Sequence, residues 1–181
     1  LVNYSTKVKP GDNVCVSGEE SALPFSKEVT KQAVLAGGNV KWFVDMPDMD
    51  EFLFKNGTME QIAQPNYRFG ECAKADVWIS AWGTDNTSTL SSVDGELLKS
   101  RRLANADNRK IYNDRSATGE LRWCGTQFPT NGDAQYAGMS LGEYEDFVYS
   151  AGFIDKDDPV SEWKAMAAYQ EKWVKYLNKV S

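Results

Sequence analysis

A chain of 181 residues is long enough to fill one hydrophobic core. A composition that is 41% hydrophobic and 12% aromatic, with six Trp, excludes a disordered segment. The net charge of −6 argues against a nucleic-acid partner, and no apolar run approaches the ~20 residues that span a membrane.

Leu1-Val-Asn-Tyr-Ser reads as the interior of a helix, because no capping residue precedes the apolar pair. Lys179-Val-Ser181 carries no stop signal, so both ends read as cut. Lys9-Pro-Gly-Asp12 is a turn, and Asn13 to Ser17 is a short β-branched run, the first strand. Leu23 to Ala36 puts Phe25, Val29, Ala33 and Ala36 on one helical face, and Gly37-Gly38 ends it. Asn39 to Val44 reads as the second strand, which completes a strand–helix–strand unit of crossover size. Asp48 to Ala75 reads as mostly helical, punctuated by Gly57 and Pro65. Asp76 to Ser80 is the third strand. Asp94 to Ala106 is a helix with Leu97, Leu98 and Leu103, and Leu121 to Gln127 is the fourth strand.

The last third is helical. Ser140 and Glu143 have the spacing of a capping box, opening a helix with Tyr144, Phe147, Val148 and Ala151. Asp158-Pro159 pairs an N-cap with a Pro at the first helical position. From Trp163, a stripe runs through Met166, Ala167, Gln170, Trp173, Val174 and Leu177 along a helix of about 30 Å. Tyr169, Tyr176 and Val180 widen it beyond what one sheet face covers. Trp163, Tyr169, Trp173 and Tyr176 are therefore candidate interface residues, expected to divide between a core face and an exposed face. Strands separated by helical segments imply an α/β fold. Its mostly parallel sheet has about four to five strands covered by helices, with a helical C-terminal segment.

The chain has no histidine. This excludes Ser-His-Asp and Cys-His catalysis and zinc sites with His ligands. The three cysteines, Cys15, Cys72 and Cys124, lack CxxC spacing. Cys15 and Cys124 read as buried, reduced and unpaired thiols on neighbouring central strands, as in a cytoplasmic protein. The acidic run Asp45 to Glu51 lies at the carboxyl edge of the sheet. It suits either a hard cation or, more simply, the acidic first turn of a helix. Ala81 to Ser88 is a polar loop able to cradle an anion or to be ordinary surface anchored by Trp82. Lys99-Ser-Arg-Arg102 with Arg109-Lys110 reads as a solvated helix face and loop. No catalytic or metal-ligating residue, and no cofactor, is assigned to this chain.

Two stretches carry a family resemblance. They are Arg122-Trp-Cys-Gly-Thr-Gln-Phe-Pro-Thr130 and Gly138-Met-Ser-Leu-Gly-Glu-Tyr-Glu-Asp-Phe147. The signature residues are Arg122, Trp123, Gly125, Thr126, Pro129, Gly138, Met139, Ser140, Glu143, Glu145 and Phe147. Together with Leu1 to Ser5, Val8 to Asp12 and Asp158 to Gln170, they resemble the N-terminal domain of thermophilic metalloprotease-type aminopeptidases, peptidase family M29. The resemblance implies a Rossmann-like three-layer domain spanning residues 1–181. A C-terminal catalytic domain beyond residue 181 would hold two divalent metals, zinc, cobalt or similar, and act on peptides. The N-terminal domain would serve dimerisation as a homodimer and enclose the active-site cavity. The isolated chain is then expected to be inactive. The rival reading is a stand-alone α/β small-molecule- or phosphate-binding module, and a third is an interaction module without a ligand.

Overall fold

The computed structural model describes residues 1–180. Its centre is a four-stranded, all-parallel sheet of β1 (Asn13–Glu19), β2 (Asn39–Asp45), β3 (Val77–Trp82) and β4 (Arg122–Gln127), in the order β2-β1-β3-β4. The expected α/β class and parallel sheet hold, with the lower of the expected strand numbers. Helix α1 (Leu23–Leu35), entered through a short 3-10 turn at Glu20–Ala22, covers one face of the sheet. The helices α2 (Pro47–Asn56), α3 (Met59–Ile62) and α4 (Tyr67–Lys74) follow β2. Between β3 and β4 lie α5 (Gly95–Ala104) and α6 (Ala106–Thr118), and α4 with α6 covers the opposite face. The chain continues through α7 (Asn131–Tyr136), α8 (Leu141–Ala151) and α9 (Pro159–Leu177).

The period-two alternation of β1 sorts its side chains between two cores. Val14 and Val16 meet Val77, Ile79, Val29 and Ala33 beneath α1. Each such buried Val or Ile contributes about 1.5–3 kcal/mol through removal from water. Cys15 points the other way, toward Cys72 and Ala75, with Phe43 and Trp78 packed around them. On the same face Ser17 is buried, and its hydroxyl accepts a hydrogen bond of 2.9 Å from Trp78 Nε1. An unpaired hydroxyl there would carry a desolvation cost, so the indole bond stabilises it.

Several sequence expectations meet corrections. Leu1 to Ser5 makes a single turn and not a helix interior, with the Ser5 and Thr6 amides both donating to Leu1 O at 3.0 Å. Cys15 and Cys124 are not on neighbouring strands, because β3 separates β1 from β4. Cys124 is half-buried, and the sulfur beside Cys15 belongs to Cys72. The 13-residue helix α6 was not anticipated, because Ile111 and Tyr112 are its only large apolar residues. Helix α5 buries none of its leucines fully, and Leu103 is largely exposed.

The C-terminal helices are opened by their caps. Ser140 Oγ accepts from the Glu143 amide at 3.3 Å while the Glu143 carboxylate accepts from the Ser140 amide at 2.9 Å. Asp158 Oδ1 accepts from the Ser161 amide at 3.0 Å, with Pro159 at the first position of α9. Along α9 no residue is buried. The expected division of its aromatic residues into a core face and an exposed face does not occur. Trp163, Tyr169, Trp173 and Tyr176 are 41–59% exposed. Trp163 reaches back toward the domain, stacking edge-on to Phe153 and donating to Gly152 O at 3.1 Å. Trp173 contacts Tyr169 on one side and Tyr176 on the other.

Candidate functional site

A cleft opens where the carboxyl ends of β1, β2 and β3 meet solvent. The chain leaves β1 for β2 on one side and later enters β3 on the other, so this is the point where the strand order reverses, the usual ligand position in open α/β sheets. Glu19, Glu20 and Ser21 line it from β1, Pro47, Asp48 and Glu51 from the segment after β2, and Gly83, Thr84, Asp85, Asn86 and Thr89 from the loop after β3. Five of these eleven residues are carboxylates, which opposes a phosphate through like-charge repulsion. The anion cradle considered for residues 81–88 is therefore not what the loop forms.

That loop is held by the exit of β4. Asp133 Oδ2 accepts from the Thr84 amide at 2.9 Å and from Gln127 Nε2 at 2.6 Å. Thr130 Oγ1 donates to Thr84 O at 2.6 Å. Ser21 Oγ donates to Gly83 O, joining the loops after β1 and β3. Burial pushes the Glu19 carboxyl above its ordinary value of 4.5; the Gly83 amide counters, while Asp45, Asp133 and Asp85 add repulsion. Burial also raises Asp45, countered by Arg68, whose Nε lies 2.9 Å from Asp45 Oδ1. The remaining acidic residues of the run sit in ordinary helical roles. Asp48 and Asp50 occupy the first turn of α2, and Glu51 pairs with Lys55. Met46, without a side-chain hydrogen bond, is the cap.

Among the described residues, no three His, Cys, Asp or Glu side chains are grouped so as to hold a metal ion. The residues present do not fit a dinuclear metal centre. A groove beside α4, α5 and α6 is lined by Arg68, Arg101, Arg102 and Arg109. Arg101 donates to Gln64 O at 3.0 Å, and Arg109 lies over the Phe69 ring at 5.9 Å. The basic run thus serves partly to tie helices together.

The signature residues do not converge on one site. Arg122 clasps the N-terminal segment, donating to Thr6 O at 3.0 Å, to Lys7 O at 2.6 Å and to Asp12 Oδ2 at 2.7 Å. Trp123 is half-exposed on β4, against Tyr112. Gly125 lies under the Trp82 ring, where an added Cβ would come within 2.4 Å of Trp82 Cζ3. Thr126 is half-buried on β4, and Pro129 is buried at its exit. Gly138, after α7, adopts a φ of 72°, a backbone state that favours glycine. Met139 is exposed, Ser140 and Glu143 form the cap, and Glu145 is half-buried on α8. Phe147 is exposed. The sequence singled out two of the cleft's three lining segments, Asp45 to Glu51 and Ala81 to Ser88, but missed Glu19 to Ser21. The lining comes from three loops distant in sequence, and only the position of the carboxyl strand ends could have pointed to Glu19.

The family described as thermophilic metalloprotease (M29) matches residues 1–181. Curated protein sequences give no match. Among solved structures, wild-type AmpT from Thermus thermophilus is similar, with a TM-score of 0.75 at 19% sequence identity. The match covers 98% of this chain and 46% of that one, so the chain spans less than half the length of the matched structure.

Proposed function

Because the chain belongs to the thermophilic metalloprotease (M29) family, we propose that it is the non-catalytic N-terminal domain of a dinuclear-metal aminopeptidase. The parent enzyme removes N-terminal amino acids from peptides, and its catalytic domain carries the two divalent ions, zinc, cobalt or similar. The observation that carries this reading is helix α9. Its aromatic residues Trp163, Tyr169, Trp173 and Tyr176 are exposed along a face that nothing else among the described residues covers. Contiguous apolar surface of this kind marks an interface. The reading assigns it to the catalytic domain and to the homodimer contact, where the domain also walls the active-site cavity. In this reading the signature residues Arg122 to Phe147 shape the domain and perform no chemistry. A cytoplasmic location belongs to the same proposal; the free thiols support it.

The test is enzymatic. The purified 181-residue chain is assayed with chromogenic aminoacyl amides, with zinc, cobalt or manganese added in turn. No metal-dependent release is expected, since the chain contains no histidine and groups no metal ligands among its described residues. Metal-dependent release of the amine would overturn the assignment.

A further inference from the structure

We propose that Cys15 and Cys72 are a dithiol site that closes to a reversible intramolecular disulfide, pinning α4 to the central strand β1. The two sulfurs are in direct contact, 2.6 Å apart, and both residues are buried. Cys15 projects from β1 onto the face that α4 covers, and Cys72 lies within α4 and points back at it. Cys124 is on β4 and takes no part.

The surroundings favour reaction at this pair. Lys41 is the partner of Cys15 across β1 and β2, and Arg68 stands one turn before Cys72 in α4. The hydrogen bond shared with Cys72 lowers the Cys15 value. Burial and the Glu71 carboxylate oppose that shift, and the positive charges of Lys41 and Arg68 reinforce it. Cys72 is pushed up, by its hydrogen bond with Cys15 and by burial. Cys15, in register with Lys41 on the neighbouring strand, is assigned as the attacking thiolate.

The oxidant is a low-molecular-weight disulfide such as oxidised glutathione. Cys15 thiolate attacks one of its sulfurs, the S–S bond breaks, and one small thiolate leaves to take up the Cys15 proton. Cys72 then attacks the mixed disulfide, releasing the second small thiol with the Cys72 proton. Two electrons pass from the protein to the small disulfide, and two thiols become one protein S–S bond. Because both sulfurs are covered, exchange proceeds when α4 lifts from the sheet. The helix is eight residues long and is held at its end by Arg115, which donates to Ala73 O at 3.0 Å and to Ala75 O at 2.8 Å. In a reducing compartment the pair stays open until oxidant accumulates. Once closed, it links residues 57 apart and restricts the unfolded chain. This property needs only the two thiols and is independent of the peptidase reading.

The experiment incubates the protein with oxidised glutathione, quenches with acid, alkylates under denaturing conditions without reductant and measures mass. Of the three cysteines, Cys124 alone should be alkylated, and a peptide map should link Cys15 to Cys72. Dithiothreitol should restore all three reactive thiols. The oxidised form should unfold at higher denaturant than the reduced one. That shift should persist in Cys124→Ala and vanish in Cys72→Ala. Should Cys72→Ala fail to fold, the wild-type map decides alone. Three alkylated cysteines after exposure to oxidant, both in the native state and during refolding, would overturn the proposal. So would a link through Cys124, or glutathione retained on Cys15 or Cys72.

Discussion

Ser140 and Glu143 satisfy each other's amides at the start of α8, so the cap is a local device. Ser140→Ala is expected to destabilise the domain by about 1 kcal/mol. The measurement is the urea midpoint, and an unchanged midpoint would remove the capping role. Asp12 is a longer-range case. Burial works against its charge, but hydrogen bonds from Arg122 and the Lys9 amide outweigh burial and hold its carboxyl below the ordinary 3.8. A depressed carboxylate contributes stability above the unfolded value, and that stability is lost as pH falls through the lower folded value. Asp12→Asn should therefore unfold more easily at neutral pH, and the gap from wild type should close in acid, below 3.8. Glu19 has the opposite sign. Its folded value lies above 4.5, so its contribution is present below 4.5 and is lost as pH rises through the folded value. Glu19→Gln should be the more stable protein at neutral pH and equal to wild type in acid, as read by thermal melts across pH. The caps at Ser140 and Asp158 were legible in the sequence because donor and acceptor lie three residues apart. The Arg122 contacts were not, because they depend on which strands become neighbours.

Among the elements, α1 was legible from its spacing, and Val29 with Ala33 does face the core. Helix α6 was not. It packs through Tyr112, whose ring sits 5.7–6.2 Å from Trp78, Phe69 and Trp123, so one aromatic residue replaces the stripe that would reveal a helix. For α9 the stripe was legible but its setting was not, since an apolar face looks the same in sequence whether a core or a partner covers it. Tyr169 and Trp173 make their ring contacts within α9, so replacing both with Ser should leave the global denaturation midpoint unchanged. The same change should reduce self-association in sedimentation and lower the fluorescence of a bound hydrophobic dye. A wild-type chain that is strictly monomeric and binds no dye would remove the interface role.

For the whole molecule, alternating β-like and helical runs sufficed for the parallel α/β class, but not for the strand order β2-β1-β3-β4. The side of β1 on which β3 adds is settled by long-range packing, chiefly Val77 and Ile79 against Val14 and Val16. Ile79 is wholly buried, and Ile79→Ala should cost about 2–5 kcal/mol of unfolding free energy. The candidate cleft was legible only in part: the segments after β2 and β3 were singled out, but Glu19 joins them only once β1, β2 and β3 are side by side. The Arg122 clasp also bears on the order in which the protein matures during translation. Asp12 precedes its guanidinium partner by 110 residues. At about 5–20 residues per second, that separation is a wait of roughly 5–20 s on the ribosome. Until β4 emerges, the Thr6 and Lys7 carbonyls and the Asp12 carboxylate have water in place of Arg122. The segment Thr6 to Asp12 is therefore made well before Arg122 and takes its final hydrogen bonds only when β4 arrives.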